Sequence, residues 1–207
     1  MKNYCINDEY KSRSYEEFQK AIIMPVPGVI NGKAEAQEEV YIRAKKILVE
    51  NNLNSILDIG CGSGFKLLKH FGDYSTIGID LKCHIDILKS RYPNKKWIVS
   101  DFSESLKLDS IDIVISADVI EHLFDPDEMI NWIKKLSPKF IVISTPDKDT
   151  LIKEKTSKTG PPQNIWHVRE WNRVEFSNYI GQFFEIIEQF NTSQCGYEYQ
   201  TVICKIK

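Results

Sequence analysis

Apolar positions along the chain switch repeatedly between two periods, and the switching predicts a layered α/β architecture. Over 35–51, Val40, Ala44, Ile47 and Leu48 recur at helical spacing and Glu39 stands four residues before Arg43, the pattern of an amphipathic helix. Ser55-Ile56-Leu57-Asp58-Ile59 is a strand-length apolar run, stopped by Gly60-Cys61-Gly62-Ser63-Gly64 ahead of a helical pattern over 65–71. Thr76-Ile77-Gly78-Ile79 reads as a second strand, 84–92 as the next helix, and Lys96-Trp97-Ile98-Val99 and Asp112-Ile113-Val114-Ile115 as two further strands. A helix is expected to start at Asp125-Pro126, because Asp caps a helix and Pro suits its first position. Met129, Ile133 and Leu136 then share one face, and Ser137-Pro138 ends the pattern.

Phe140-Ile141-Val142-Ile143 is apolar without alternation, as expected of a strand covered on both sheet faces. Strands alternating with helices predict a parallel sheet joined by right-handed crossovers. The rhythm breaks at the end of the chain, where 183–190 and 199–206 are strand-like with only a loop between them. That loop is too short for a crossover helix, so these two segments are expected to pair antiparallel as a hairpin at one side of the sheet. The pattern divides the chain into an irregular arm or cap over 1–34 and one domain over 35–207, with no internal repeat or low-complexity tract.

Composition changes this picture only by exclusion. A chain of 207 residues, 42% hydrophobic and 27% charged, is an ordinary globular protein, neither disordered nor fibrous. Twenty-seven basic against twenty-nine acidic residues give a net charge of -2, which argues against nucleic acid as a partner. Cys5, Cys61, Cys83, Cys195 and Cys204 are odd in number and lack the paired close spacing of a zinc or redox site, so reduced thiols and a cytoplasmic location are expected. No stretch approaches the roughly 20 apolar residues of a membrane span.

The chemistry concentrates at Leu57-Asp58-Ile59-Gly60-Cys61-Gly62-Ser63-Gly64, a strand running into a turn with three glycines. Such a turn lets a ligand approach the main chain, at the carboxyl end of a parallel strand where open α/β sheets bind ligands. A P-loop would need Lys-Ser or Lys-Thr after its last glycine, and Gly64 is followed by Phe65-Lys66-Leu67, so that reading fails. A dinucleotide site would need Gly or Ala where Phe65 stands, which weakens the nicotinamide reading. S-adenosylmethionine has no phosphate, and an acid such as Asp58 is harmless or useful near its sulfonium and amino group.

On these residues the chain resembles the class I S-adenosylmethionine-dependent methyltransferases over about 35–207. Residues 57–64 are similar to their first motif, Ile77-Gly78-Ile79-Asp80-Leu81 to the second and Asp101-Phe102 to the third. Asp112-Ile113-Val114-Ile115-Ser116-Ala117-Asp118-Val119-Ile120-Glu121-His122 resembles the fourth, in the form of the ubiquinone- and menaquinone-type small-molecule branch. The resemblance implies a Rossmann-like seven-stranded, mostly parallel sheet with an antiparallel last strand and helices on both faces. It also implies S-adenosylmethionine as cofactor, with S-adenosylhomocysteine as product. Asp80 would accept from the ribose hydroxyls and Asp101 from the adenine amino group, with Leu81 and Phe102 against the ring. Gly60, Cys61, Gly62 and Gly64 would form the turn, the main chain near Ala117 and Asp118 would meet the methionine part, and Asp58 would hold the ammonium directly or through water.

Methyl transfer from a sulfonium is an in-line displacement that needs alignment and exclusion of water, and it requires no metal. A hydroxyl acceptor benefits from a base, and histidine has a suitable pKa. His122 follows the fourth strand, at the end of the sheet where the sulfonium would sit; its alternative role is to fix the loop before Asp125. His167 lies in Gly160-Pro161-Pro162-Gln163-Asn164-Ile165-Trp166-His167-Val168-Arg169-Glu170-Trp171, an irregular stretch long enough to be a binding loop or lid; its alternative role is to stabilise that loop. His70 and His84 are expected at the surface or at helix ends, and Cys61 is expected to be small rather than reactive. Ser144-Thr145-Pro146-Asp147 and 167–171 resemble methyltransferases found with bacterial surface-glycan genes. The expected acceptor is therefore a small molecule, such as an oxygen of a sugar, a phosphoramidate or another surface-polysaccharide precursor. A quinone-type methyltransferase, a nicotinamide oxidoreductase and a non-catalytic binding protein are the alternatives. The arm, with Tyr4, Tyr10, Tyr15 and Phe18 before Pro25-Val26-Pro27-Gly28, has three roles open to it: cap over the cofactor, packing arm, or contact in a homodimer.

Overall fold

The computed structural model describes residues 6–17, 19, 37–103, 108–151, 160–194 and 197–207. Tyr4, Cys5, Phe18, Pro25 to Gly28 and Cys195 lie outside the described residues. In chain order the elements are α1 Glu38–Glu50, β1 Ser55–Ile59, α2 Phe65–Phe71, β2 Ser75–Asp80, α3 Lys82–Arg91, β3 Lys96–Val99 and β4 Ile113–Ala117. A 3-10 turn at Ile120–His122 precedes α4 Pro126–Leu136, β5 Phe140–Pro146, α5 Lys148–Leu151, α6 Arg173–Ile180, β6 Phe184–Gln194 and β7 Tyr197–Ile206.

One seven-stranded sheet runs in the order β3-β2-β1-β4-β5-β7-β6. The pairs β1·β2, β1·β4, β2·β3 and β4·β5 are parallel. The predicted hairpin is present, and its second strand is the one inserted against the parallel block: β7 pairs antiparallel with both β5 and β6. The hairpin is longer than its apolar run, because Asn191, Ser193 and Glu198 continue the ladder with polar side chains.

Strand residues alternate between two hydrophobic layers. Leu57, Ile59, Ile77, Ile79, Ile141 and Ile143 pack with Met129, Ile130 and Ile133 of α4 on one face. Ile56, Ile113, Ile115 and Val142 pack with Val40, Ala44 and Leu48 of α1 and with Leu67 and Phe71 of α2 on the other. Asp58 shares the face of Ile56, so its carboxyl is buried against α1. The start of α4 is set as the sequence predicts, with Asp125 accepting from the Asp127 amide and Pro126 in the first turn. The helix before β3 starts two residues earlier than expected, at Lys82, which places His84 in its first turn. Among the described residues, no helix is long and apolar enough to cross a membrane.

The chain order puts the carboxyl ends of β1 and β4, which are neighbours, at the point where the sheet reverses its winding. Open α/β sheets present a crevice there; Gly60 and Asp118 follow the ends of β1 and β4, and Asp80 ends β2, on that side.

Candidate active site

The glycine turn is held closed by its own hydrogen bonds. Ile79 O accepts from the amides of Gly60 at 2.8 Å and Cys61 at 3.1 Å, and Cys61 O accepts from the Gly64 amide at 2.8 Å. The Gly62 amide donates to Asp80 Oδ2 at 2.8 Å. Four of the five turn amides are therefore engaged, and the turn offers a ligand space rather than donors. A phosphate-binding loop works the other way, presenting its amides to the anion. At Gly60, φ is +70° and a Cβ would stand 2.3 Å from a Val119 methyl; at Gly62, φ is +53° and a Cβ would meet nothing within 4 Å. The open side of the turn is at Gly62.

Asp80 sits between this turn and α3. Its Oδ1 accepts from the Leu81 amide at 2.7 Å and faces His84 Nδ1 at 2.6 Å. Together with the Gly62 amide these contacts occupy three of a carboxylate's roughly four acceptor positions, leaving Oδ2 with capacity for a further hydroxyl. Leu81 is half exposed beside it, at 51%. His70 and His84 do stand near helix ends, but neither is a free surface residue. His84 is largely covered against Asp80, and His70 against Glu38.

Beneath the turn, the Tyr41 hydroxyl lies 3.1 Å and 3.3 Å from the two Asp58 oxygens. Burial pushes the Asp58 carboxyl up to about 7, against the hydrogen bond from Tyr41 and the charge of Lys66. At the end of β4, Asp118 adopts φ +54°. Its Oδ1 accepts from Ser144 Oγ at 2.7 Å and its Oδ2 from Gln37 Nε2 at 2.6 Å. Burial raises its pKa as well.

On the far side of Asp118, the 3-10 turn brings Glu121 and His122 against the 160–171 loop. Glu121 is 1% exposed. Its Oε2 accepts from Thr145 Oγ1 at 3.1 Å, while Oε1 is buried without a hydrogen-bond partner. Burial and then the charge of Asp118 push its pKa well up. His122 Nδ1 meets the Trp166 carbonyl. A carbonyl only accepts, so Nδ1 carries the proton and Nε2 is left as a lone pair. Burial, with His167 next, lowers the His122 pKa to about 4. His122 Nε2 lies 3.8 Å from Glu121 Oε1, and the His122 and His167 rings meet edge to face at 5.2 Å.

Both nitrogens of His167 have partners within its own loop. Nδ1 is 2.7 Å from Glu170 Oε1 and Nε2 is 3.1 Å from Asn164 Nδ2. Its stabilising role is thus built in, beside any role toward an acceptor. Glu121, His122 and His167 each present one ligand atom within 4.8 Å of the others, the arrangement of a three-ligand cation site. The expectation of a metal-free site thus meets a grouping that could hold a cation once Asn164 releases His167 Nε2.

Residues 34–198 match the profile of a family described as a methyltransferase domain. The chain belongs to the methyltransferase-domain family. An Arabidopsis thaliana protein named small RNA 2'-O-methyltransferase is 29% identical over 174 residues, covering 67% of this chain and 18% of that protein. A protein of Mycolicibacterium smegmatis named as a probable S-adenosylmethionine-dependent methyltransferase is 24% identical over 168 residues, covering 76% of this chain and 63% of its own length. The chain thus spans less than two thirds of these relatives. Among solved structures, magnesium protoporphyrin IX methyltransferase from Synechocystis PCC 6803 shares the fold with a TM-score of 0.67 at 15% identity, covering 93% of this chain and 94% of that one.

Within this methyltransferase domain, Gly60, Gly62, Asp80, Ala117 and Asp118 stand at the carboxyl ends of β1, β2 and β4, with Asp58 buried on β1 beneath them, and three other residues named from the sequence are set differently. The Cys61 side chain turns down under the sheet, where its sulfur would be 2.9 Å from a Cβ at Gly78, so only its main chain can face a ligand. Asp101 is exposed and its Oδ1 is taken by the Ser103 amide and hydroxyl, so Oδ2 alone is left for an adenine. Phe102, at φ +70°, packs edge-on against Trp132 at 5.8 Å. Tyr41 is the residue sequence reasoning passed over, because it looks like one more apolar position of α1; Glu121 was named only as part of the fourth motif's Glu-His pair, without a role of its own.

Proposed function

We propose that the protein transfers a methyl group from S-adenosylmethionine to an oxygen of a small-molecule acceptor. The observation that carries this reading is the glycine turn, whose amides are engaged internally while Asp80 keeps acceptor capacity beside it. That combination suits an adenosine ligand without phosphates. The ribose lies on Asp80 Oδ2, and a second ribose bond to Oδ1 requires His84 to move off. Leu81 and Phe102 bound the adenine, and Asp58 with Tyr41 provides negative charge beneath the methionine ammonium. Positioning does most of the catalysis: the sulfonium is an excellent leaving group, and alignment in a dry crevice suffices for a nucleophilic acceptor.

The acceptor side is the cluster of Glu121, His122 and His167. As a free base, an imidazole whose pKa is held near 4 is weakly driven to take a proton at neutral pH. Its lone pair and the unpartnered Glu121 oxygen suit a divalent cation better, and such an ion would lower the pKa of a bound hydroxyl. His167 joins them when Asn164 releases its Nε2. The net charge of -2 fits a small acceptor; the resemblance of 144–147 and 167–171 to surface-glycan methyltransferases points to an oxygen of a sugar, phosphoramidate or other surface-polysaccharide precursor, with a quinone-type acceptor as the alternative.

Incubation with labelled S-adenosylmethionine and Mn²⁺ tests the reading on a panel of sugars, catechols, small amines and an RNA oligonucleotide. Label on a sugar or catechol oxygen is expected. Label on RNA alone would move the acceptor to nucleic acid, label on an amine would overturn oxygen, and fluorescence enhancement of NADH would revive the oxidoreductase reading.

A further inference from the structure

The described part of the N-terminal arm is tied to the loop that carries His167. The Asn7 amide donates to Val168 O at 2.9 Å, and the Lys11 amide to Ile165 O at 2.7 Å. The Asn7 side chain donates through Nδ2 to Asn164 O at 3.1 Å, while its Oδ1 accepts from the Glu9 amide at 3.0 Å. One residue, 7% exposed, therefore grips both ends of the 164–168 turn. Tyr10 adds a ring contact with Phe124, edge to face at 5.2 Å.

What that turn holds is the orientation of both imidazoles. Asn164 accepts the Trp166 amide on Oδ1 at 3.0 Å, which turns its Nδ2 toward His167 Nε2. The Trp166 carbonyl meets His122 Nδ1, and Glu170 meets His167 Nδ1. Each ring is thereby held with its proton on Nδ1. Free neutral histidine prefers the proton on Nε2, so both rings are kept in their less common form by partners on this loop.

We propose that Asn7 is a positioning residue of the acceptor site: by clamping the 164–168 turn it fixes the tautomer and direction of His122 and His167, which makes the arm a working part of the site. The inference rests on the reading of those histidines as acceptor-side groups, and its test separates the two. Asn7→Asp keeps the acceptor for the Glu9 amide and removes the donor to Asn164 O. Ring ¹⁵N spectra at neutral pH are expected to show His122 losing its Nδ1-protonated form in Asn7→Asp and in Asn7→Ser. S-adenosylhomocysteine affinity is expected to stay within about twofold of the parent chain, which also reports that each variant is folded. Retention of the Nδ1-protonated form in both folded variants overturns the proposal. Should one variant fail to bind S-adenosylhomocysteine, the other decides. A reverted tautomer with unaltered methyl transfer upholds the clamp and instead overturns the acceptor-side reading of the histidines.

Discussion

Asp58 is a carboxylate whose buried environment is at odds with its charge. Folding raises its carboxyl from 3.8 to about 7, so between those values the folded chain holds a proton that the unfolded chain releases. Its contribution to stability is full below about pH 3.8 and is lost as the pH climbs through about 7, the reverse of a salt-bridged aspartate. Thermal unfolding of the ligand-free protein should fall in midpoint between pH 5 and 8 more steeply than that of Asp58→Asn. A cationic donor reverses the balance by favouring the carboxylate. S-adenosylmethionine binding should therefore tighten as pH rises from 6 to 8 and should release a proton, seen as a buffer-dependent heat. Asp58→Asn should flatten both effects, and a pH-independent affinity in the parent chain would contradict the placement of the ammonium. At Asp80, hydrogen bonds to a charged acceptor are worth about 1.5–3 kcal/mol each. Asp80→Ala should weaken S-adenosylhomocysteine binding by roughly 10- to 100-fold, and an unchanged affinity would contradict the ribose assignment.

At the scale of elements, the glycine turn makes a prediction that separates stability from binding. Gly60→Ala and Gly62→Ala both place a side chain at positive φ, at a cost of roughly 1–2 kcal/mol. Only Gly60→Ala also drives a Cβ into Val119. Gly60→Ala should lower the melting temperature more than Gly62→Ala, which bears only the backbone cost, whereas Gly62→Ala should also lose donor affinity, because its Cβ enters the space the donor needs; titration and melting of the two proteins check this. The 3-10 turn makes another: chelation should abolish methyl transfer, Mn²⁺ or Mg²⁺ should restore it, and Glu121→Gln should resist restoration while still binding S-adenosylhomocysteine. Full activity in chelator would return His122 to the role of a base.

These elements also show what a sequence displays and what it hides. The strands, the α4 cap and the glycine turn were legible because each depends on local period or on a residue with a special backbone role. The engagement of the turn amides was not, since Ile79 and Asp80 reach them across the sheet. Nor was the Tyr41–Asp58 pair, because a tyrosine at a helical apolar position looks like core until the facing strand is known. Cys61 was placed in the turn correctly, but which way its side chain points depends on the space left by Gly78.

For the molecule as a whole, the parallel block and the hairpin divide the work. The ends of β1, β2 and β4 carry the residues proposed to bind the donor, and β5 supplies Ser144 and Thr145 to Asp118 and Glu121. The proposed acceptor side is formed by segments outside the repeating pattern, the 160–171 loop and the described part of the arm packed on it. This division predicts that changes in the arm or the loop alter acceptor use and leave donor affinity alone. The claim on which everything else depends is the donor. Calorimetric titration of the protein with S-adenosylhomocysteine at neutral pH tests it most directly: saturable one-to-one binding at micromolar concentrations is predicted, and no binding at millimolar ligand would contradict the account.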